Sequence, residues 1–138
     1  MSHLEMHQFI CRSDNYGVLV HDHQTGTTIS IDAPDAAAIE SELKKRGWQL
    51  THIFTTHHHA DHVEGNLALK EQFGCTIIGP KAEADKIPGL RKTVAGGENF
   101  TWAGRDVKVY DCPGHTKGHI AYHIPSEFSL FAGDTLFA

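Results

Sequence analysis

The run Thr55-Thr56-His57-His58-His59-Ala60-Asp61-His62 places four imidazoles and one carboxylate within eight consecutive residues. Packing a hydrophobic core requires no such density of metal-ligand side chains, and a merely solvated loop gains nothing from it. Residues 50–54, rich in β-branched and apolar side chains, read as a short strand ahead of the run, and residues 64–73 read as a helix behind it. The run therefore falls on a loop between a strand end and a helix. A fold that uses it must gather further donors at that same sheet edge.

On such a loop His57 and His59 can point the same way, whereas Asp61 and His62 lie one turn further on, where the helix start re-aims them. Two neighbouring metals can share the segment. Zinc accepts imidazole nitrogen and carboxylate oxygen at about 2.0–2.2 Å, and a catalytic site keeps one position for water. The remaining ligands must come from elsewhere in the chain. In Cys112-Pro113-Gly114-His115-Thr116-Lys117-Gly118-His119, His115 sits between glycines after a strong strand and is the better ligand candidate. His119 reads as a buttress that hydrogen-bonds the loop. Phe131-Ala132-Gly133-Asp134 brings a carboxylate to the end of an apolar strand, where Asp134 can bridge two metals. Taken alone, His115 or Asp134 would read as a turn or capping residue, and it is their combination with the run that makes them ligand candidates. His58 alternates away from His57 and His59 and reads as structural. His21-x-His23 mimics a chelating pair, but its place at a hairpin turn predicts two exposed non-ligands. His3, His7, His52 and His123 default to surface or strand positions, and Asp14-Asn15-Tyr16 reads as turn chemistry.

Composition excludes several alternatives. A length of 138 residues suits one domain with a real core. A net charge of -5 without a Lys/Arg cluster argues against nucleic acid, whose phosphates require a basic surface. No apolar run is long enough to span a bilayer. The start, Met1-Ser2-His3-Leu4-Glu5, lacks the basic and apolar regions of a signal peptide, so a cytoplasmic location is expected. Cys11, Cys75 and Cys112 are odd in number and far apart, and they read as buried free thiols rather than a disulfide framework. Histidine is the anomaly: its 12 copies equal Lys and Arg combined, and imidazole is the commonest metal ligand.

Periodicity predicts strands over 6–12, 17–22 and 27–32 as an opening antiparallel meander. A helix follows, with Asp32-Ala33-Pro34-Asp35 as its N-cap region, Ile39 and Leu43 on one face, and Lys44, Lys45 and Arg46 in the last turn before Gly47. Strands are expected over 50–56 and 76–78 and a single helical turn within 81–90. A hairpin of 99–102 with 107–112 precedes strands at 121–124 and 129–132. The whole is a layered α/β architecture with its site on loops at one sheet edge.

These residues resemble the metallo-β-lactamase fold and, within it, the glyoxalase II enzymes, or hydroxyacylglutathione hydrolases. The likeness runs from Asp14-Asn15-Tyr16 through the His/Asp run and Pro113-Gly114-His115-Thr116 to Gly133-Asp134-Thr135-Leu136-Phe137. The resemblance implies an αββα sandwich holding two divalent metal ions, zinc first, with iron or manganese as alternatives. By position, His57, His59 and His115 would hold the first metal and Asp61 and His62 the second, with Asp134 bridging. It further implies hydrolysis of S-lactoylglutathione to D-lactate and glutathione, the second step of methylglyoxal detoxification. A hydroxide bridging the metals would attack the thioester, oriented by Asp61. The expected partner is thus a small-molecule glutathione thioester, and the full-length protein is expected to be a monomer.

Members of that family continue well beyond Gly-Asp-Thr-Leu-Phe. Residues 1–138 are therefore expected to form an incomplete metallo-β-lactamase domain, mainly its N-terminal half. The second layer of the sandwich, the last histidine of the second metal and the glutathione-binding helices would lie outside it. Two alternatives stand beside the hydrolase: a mononuclear iron dioxygenase of the same fold acting on glutathione persulfide, and an inactive metal-binding fragment.

Overall fold

A computed structural model describes residues 4–11, 15–33, 35–56, 65–87, 89–111, 120–124, 129–132 and 135–137. The chain opens with β1 (Leu4–Cys11), β2 (Asn15–Asp22) and β3 (Thr28–Ile31), an antiparallel meander as expected. Helix α1 (Ala36–Arg46) follows. The Asp35 carboxylate accepts from the Ala37 and Ala38 amides at 3.0 and 3.3 Å, satisfying donors that a helix start leaves open. Gly47, at φ 72°, ends the helix in the left-handed conformation that glycine adopts without strain.

β4 (His52–Phe54), α2 (Asn66–Phe73) and β5 (Thr76–Pro80) come next, followed by a 3₁₀ stretch, Lys81–Lys86. β6 (Lys92–Val94), which the sequence pattern did not suggest, pairs parallel to β5. It has three residues and only Val94 is buried, too little to show a period of two. The first sheet runs β1-β2-β3-β4-β5-β6. β7 (Asn99–Trp102), β8 (Arg105–Asp111), β9 (Ile120–Ile124), β10 (Ser129–Ala132) and β11 (Thr135–Phe137) form a second, antiparallel sheet in the order β11-β10-β9-β8-β7.

This second sheet corrects one expectation. The second β layer does not lie outside the chain, because five of its strands are already here. Both described helices cover the first sheet, where Ile39, Leu43 and Leu69 pack with Leu19, Ile53 and Ile77. Between the sheets, Val18, Val20, Ile31, Phe54 and Ile78 meet Phe100, Trp102, Val107, Val109, Tyr122 and Ile124. Phe54 is the hub of that layer: its ring centroid lies 5.0 Å from Tyr122 and 5.4 Å from Phe100. None of the described helices is long and apolar enough to cross a membrane.

His21 also departs from expectation, for it is buried rather than exposed. It belongs to β2 and shares a face with Leu19, so the period of two turns it inward under the helices. There it stacks on Trp48 at 4.4 Å and 4° and bonds Thr28 Oγ1 through Nδ1 at 2.7 Å. His23, beyond the strand, is exposed and meets Glu5 at 2.9 Å. Cys75 is a buried free thiol, as expected. Cys112 lies outside the described residues, as does the Cys11 side chain.

Burial lowers the His52 pKa from its ordinary 6.5, because desolvation disfavours the imidazolium. The unfolded chain therefore takes up that proton first as the solution is acidified. The contribution of His52 to stability is complete above pH 6.5 and is lost as pH falls toward the folded-state value. Urea titrations between pH 7.5 and about 5 are expected to show a shallower loss of stability in His52→Gln than in the wild type. Asp35→Ala is expected to cost about 1 kcal/mol at all pH values in that range.

Candidate functional site

β3, β4 and β5 run parallel, so Ile31, Phe54 and Pro80 end at the same edge of the first sheet. β2 is antiparallel to β3 and starts at that edge, at Asn15. In the second sheet, β8 ends at Asp111 opposite Ile120, the first residue of β9. The two edges are joined directly: the Ile120 amide donates to the Thr56 carbonyl at 2.9 Å. β10 runs back toward this side, with Phe131 opposite Tyr122, and Ala132 pairs with Thr135 where β11 starts. The residues flanking 57–64, 112–119 and 133–134 thus all stand at one edge of the sandwich. Loops that share a sheet edge are where α/β proteins build sites.

The expected ligands themselves, His57, His59, Asp61, His62, His115 and Asp134, lie outside the described residues, and so do His58, His119 and Asp14. Among the described residues no group of three or more His, Cys, Asp or Glu side chains could hold a metal. His21 stacks on Trp48 and bonds Thr28, and His23 meets Glu5.

The described residues do show how the run is mounted. Thr55 and Thr56 are completely buried. The Asp32 carboxylate, only 1% exposed, accepts from the Thr56 amide and from the Thr56 hydroxyl, each at 2.7 Å. Charge-assisted bonds of this kind are among the strongest that a buried carboxylate makes. Asp32 adopts φ 61°, a left-handed conformation that Asp tolerates better than most residues, and its own amide donates to the Phe54 carbonyl at 2.9 Å. At the other end of the run, the Gly65 amide donates to the Ala33 carbonyl at 2.7 Å. A Cβ on Gly65 would lie 2.9 Å from both the Ala33 oxygen and the Ala36 nitrogen, so the chain returns against backbone with no room for a side chain. The β3–α1 turn therefore grips both ends of 57–64. Sequence reasoning gave Asp32, Thr56 and Gly65 no part in holding the run. The available signal was an Asp at a strand end and a Gly three residues after His62.

The strand end that precedes the second candidate segment is also braced. Asp111 folds its carboxyl over Gly96, leaving no room there for a Cβ. The Gly97 amide donates to Val109 at 2.8 Å, so the 95–98 turn lies against the end of β8 just before 112.

Comparison with known proteins agrees with this architecture. Residues 25–138 match the model of the Metallo-beta-lactamase superfamily. The chain belongs to this superfamily. A hydroxyacylglutathione hydrolase of Rhizobium meliloti is 59% identical over 138 residues, covering all of this chain and 54% of the relative. One from Brucella anthropi is 63% identical over 135 residues, covering 98% of the chain and 52% of the relative. The chain spans about half the length of these curated relatives. Among solved structures, the BLEG-1 B3 metallo-beta-lactamase superposes with TM-score 0.83 at 20% identity, over 97% of this chain and 74% of that one. ETHE1 from Myxococcus xanthus gives 0.74 at 28% identity, over 88% of this chain and 54% of that one. The metallo-β-lactamase fold of the superfamily is thus the two-sheet sandwich described above.

Asp32→Ala removes the acceptor of two buried donors and forces alanine into a left-handed conformation, and is expected to cost about 3 kcal/mol in urea unfolding. Asp32→Asn keeps an acceptor and tolerates the backbone, and should cost less. Gly65→Ala is expected to cost roughly 1–3 kcal/mol, because the opposing atoms are backbone and cannot turn aside.

Proposed function

We propose that this chain forms the N-terminal part of a metal-dependent hydrolase of glutathione thioesters, converting S-lactoylglutathione to D-lactate and glutathione. One observation carries the reading: relatives at 59–63% identity across essentially the whole chain are named hydroxyacylglutathione hydrolase. Residues 1–138 would then be one incomplete metallo-β-lactamase domain, and the protein would act in the cytoplasm as a monomer at full length. The mounting of the ligand-bearing segments at one edge supports the same reading.

The donor chemistry fits divalent cations. Imidazole and carboxylate are borderline-to-hard ligands suited to zinc, with iron and manganese also acceptable, and no thiolate is required. His57, His59 and His115 would hold one ion and Asp61 and His62 a second, with Asp134 between them. When bound, such ions supply acidification of a water at neutral pH and charge stabilisation at a carbonyl oxygen. The protein's own part is positional. Asp32 and Ala33 hold Thr56 and Gly65, so the chain enters and leaves 57–64 at two points fixed by the same turn. Asp61 would in addition accept a hydrogen bond from the attacking water and aim it at the thioester carbonyl. The thiolate leaves readily and needs little protonation.

Metal analysis and thioester hydrolysis test the proposal together. In protein of the relatives' full length, two zinc-like ions per chain and loss of S-lactoylglutathione absorbance are expected. His115→Ala and Asp61→Ala should each lower kcat/KM on the order of a hundredfold or more. Residues 1–138 alone should bind metal weakly and turn over little. A single iron per chain with oxygen uptake on glutathione persulfide would replace the hydrolase by the dioxygenase.

A further inference from the structure

Tyr122 lies in the middle of β9 and is completely buried. Its ring is held by Phe54 and Phe100, which gives the side chain an apolar reason to be there. Its hydroxyl, however, does something the ring does not require. It donates to the Thr55 carbonyl at 2.5 Å and lies 3.4 Å from the Ile78 carbonyl. The Thr55 carbonyl stands just past the end of β4, where the chain leaves for the His/Asp run, and the Ile78 carbonyl belongs to the neighbouring parallel strand β5; the Thr55 amide donates to that same Ile78 carbonyl at 2.7 Å. Two residues earlier on the same face of β9, the Ile120 amide donates to the Thr56 carbonyl. Consecutive carbonyls of the first sheet, Thr55 and Thr56, are thus taken up by one strand of the second. Burial and the nearby Asp32 push the Tyr122 pKa well above the ordinary tyrosine range, so the hydroxyl remains a donor at any physiological pH.

The two segments carrying His57, His59 and His115 leave from this junction, one directly after Thr56 and the other directly before Ile120. Resting on the metal assignment proposed above, we infer that the Tyr122 hydroxyl is a positioning group that sets the spacing between these two segments. Through that spacing it governs the affinity of the metal they share. An ion ligated from both sides of a junction is sensitive to any slack in it, because ligand distances tolerate only about 0.2 Å. The ion held by Asp61 and His62, which belong to one segment, is far less sensitive. The phenol is suited to this role: it spans the intersheet layer on a rigid ring with few rotatable bonds and ends in one strong donor.

Tyr122→Phe keeps the ring and removes only the donor, and Ile124→Val is a control that loosens the same strand by a similar amount without touching the junction. In the metal-free chain, amide exchange at Ile120 should speed up about tenfold in Tyr122→Phe, the equivalent of one lost buried hydrogen bond, and stay near wild type in Ile124→Val. In protein of the relatives' full length, zinc titration against a chromophoric chelator should show about a tenfold weaker tight site in Tyr122→Phe. The weaker site and the control should be unchanged, and His115→Ala should abolish the tight site. Unaltered Ile120 exchange together with unaltered zinc affinity in Tyr122→Phe would overturn the inference while leaving the hydrolase reading intact. A wild-type chain that takes up no zinc would overturn the metal assignment and the inference with it, and this outcome is read separately because the exchange measurement uses no metal.

Discussion

The buried hydrogen bonds around Thr55 and Thr56 are the constraint on which the arrangement of this protein depends. Three elements meet there: the Asp32 carboxylate from the β3–α1 turn, the Ile120 amide and Tyr122 hydroxyl from β9, and the Ile78 carbonyl from β5. Each of these polar groups would be costly to leave unpaired at such depth, so the bonds must form together or the edge must open to water. Because they form together, the chain leaves β4 in one defined direction, and it is in that direction that the His/Asp run begins. A loop dense in polar side chains has little to bury by itself. Here its ends are held by backbone and carboxylate contacts instead of by a core.

The two sheets are tied at the opposite edge as well, where Arg105 meets Asp22 at 3.3 Å with the carboxylate nearly inaccessible. Burial alone would raise the Asp22 pKa, but hydrogen bonds from Thr25, Gln24 and Arg105 outweigh it and hold the carboxyl below the usual range. Between these ties lies the aromatic layer around Phe54, which sets how far apart the sheets stand. The division of labour is a common one: apolar packing supplies most of the stability, and a few satisfied polar contacts specify the alignment.

Much of the fold was legible in the sequence because its signals are local. The cap region Asp32-Ala33-Pro34-Asp35, the face of Ile39 and Leu43, and Gly47 announce α1, and the structure assigns the cap to Asp35. Alternation of Val107 and Val109 with exposed neighbours announces β8. β6 was not legible, since its three residues carry too short a pattern and its partner β5 comes from before the 3₁₀ stretch. His21 was misjudged because its neighbour His23 suggested a turn, although the strand already predicted by alternation puts it on the face of Leu19. At the site, the chemistry of the ligand candidates could be read directly. Asp32 and Gly65 could not, because their importance lies in contacts with residues more than twenty and about thirty positions away, respectively.

By itself the sequence determined the donor chemistry: which side chains can bind a metal, their spacing along the chain, and the superfamily to which that spacing belongs. Those properties are written in neighbouring residues and need no knowledge of what lies across the core. Only the tertiary structure decided that Thr56, Ile120 and Ala132, which flank the candidate ligand segments, stand at one edge, and that five strands of the second sheet are already in place to bring them there. It also decided that a tyrosine hydroxyl closes the junction between two of them. The physical reason is that hydrogen bonds and packing across two sheets join residues far apart in sequence, and no local pattern reports which distant carbonyl a buried donor will find.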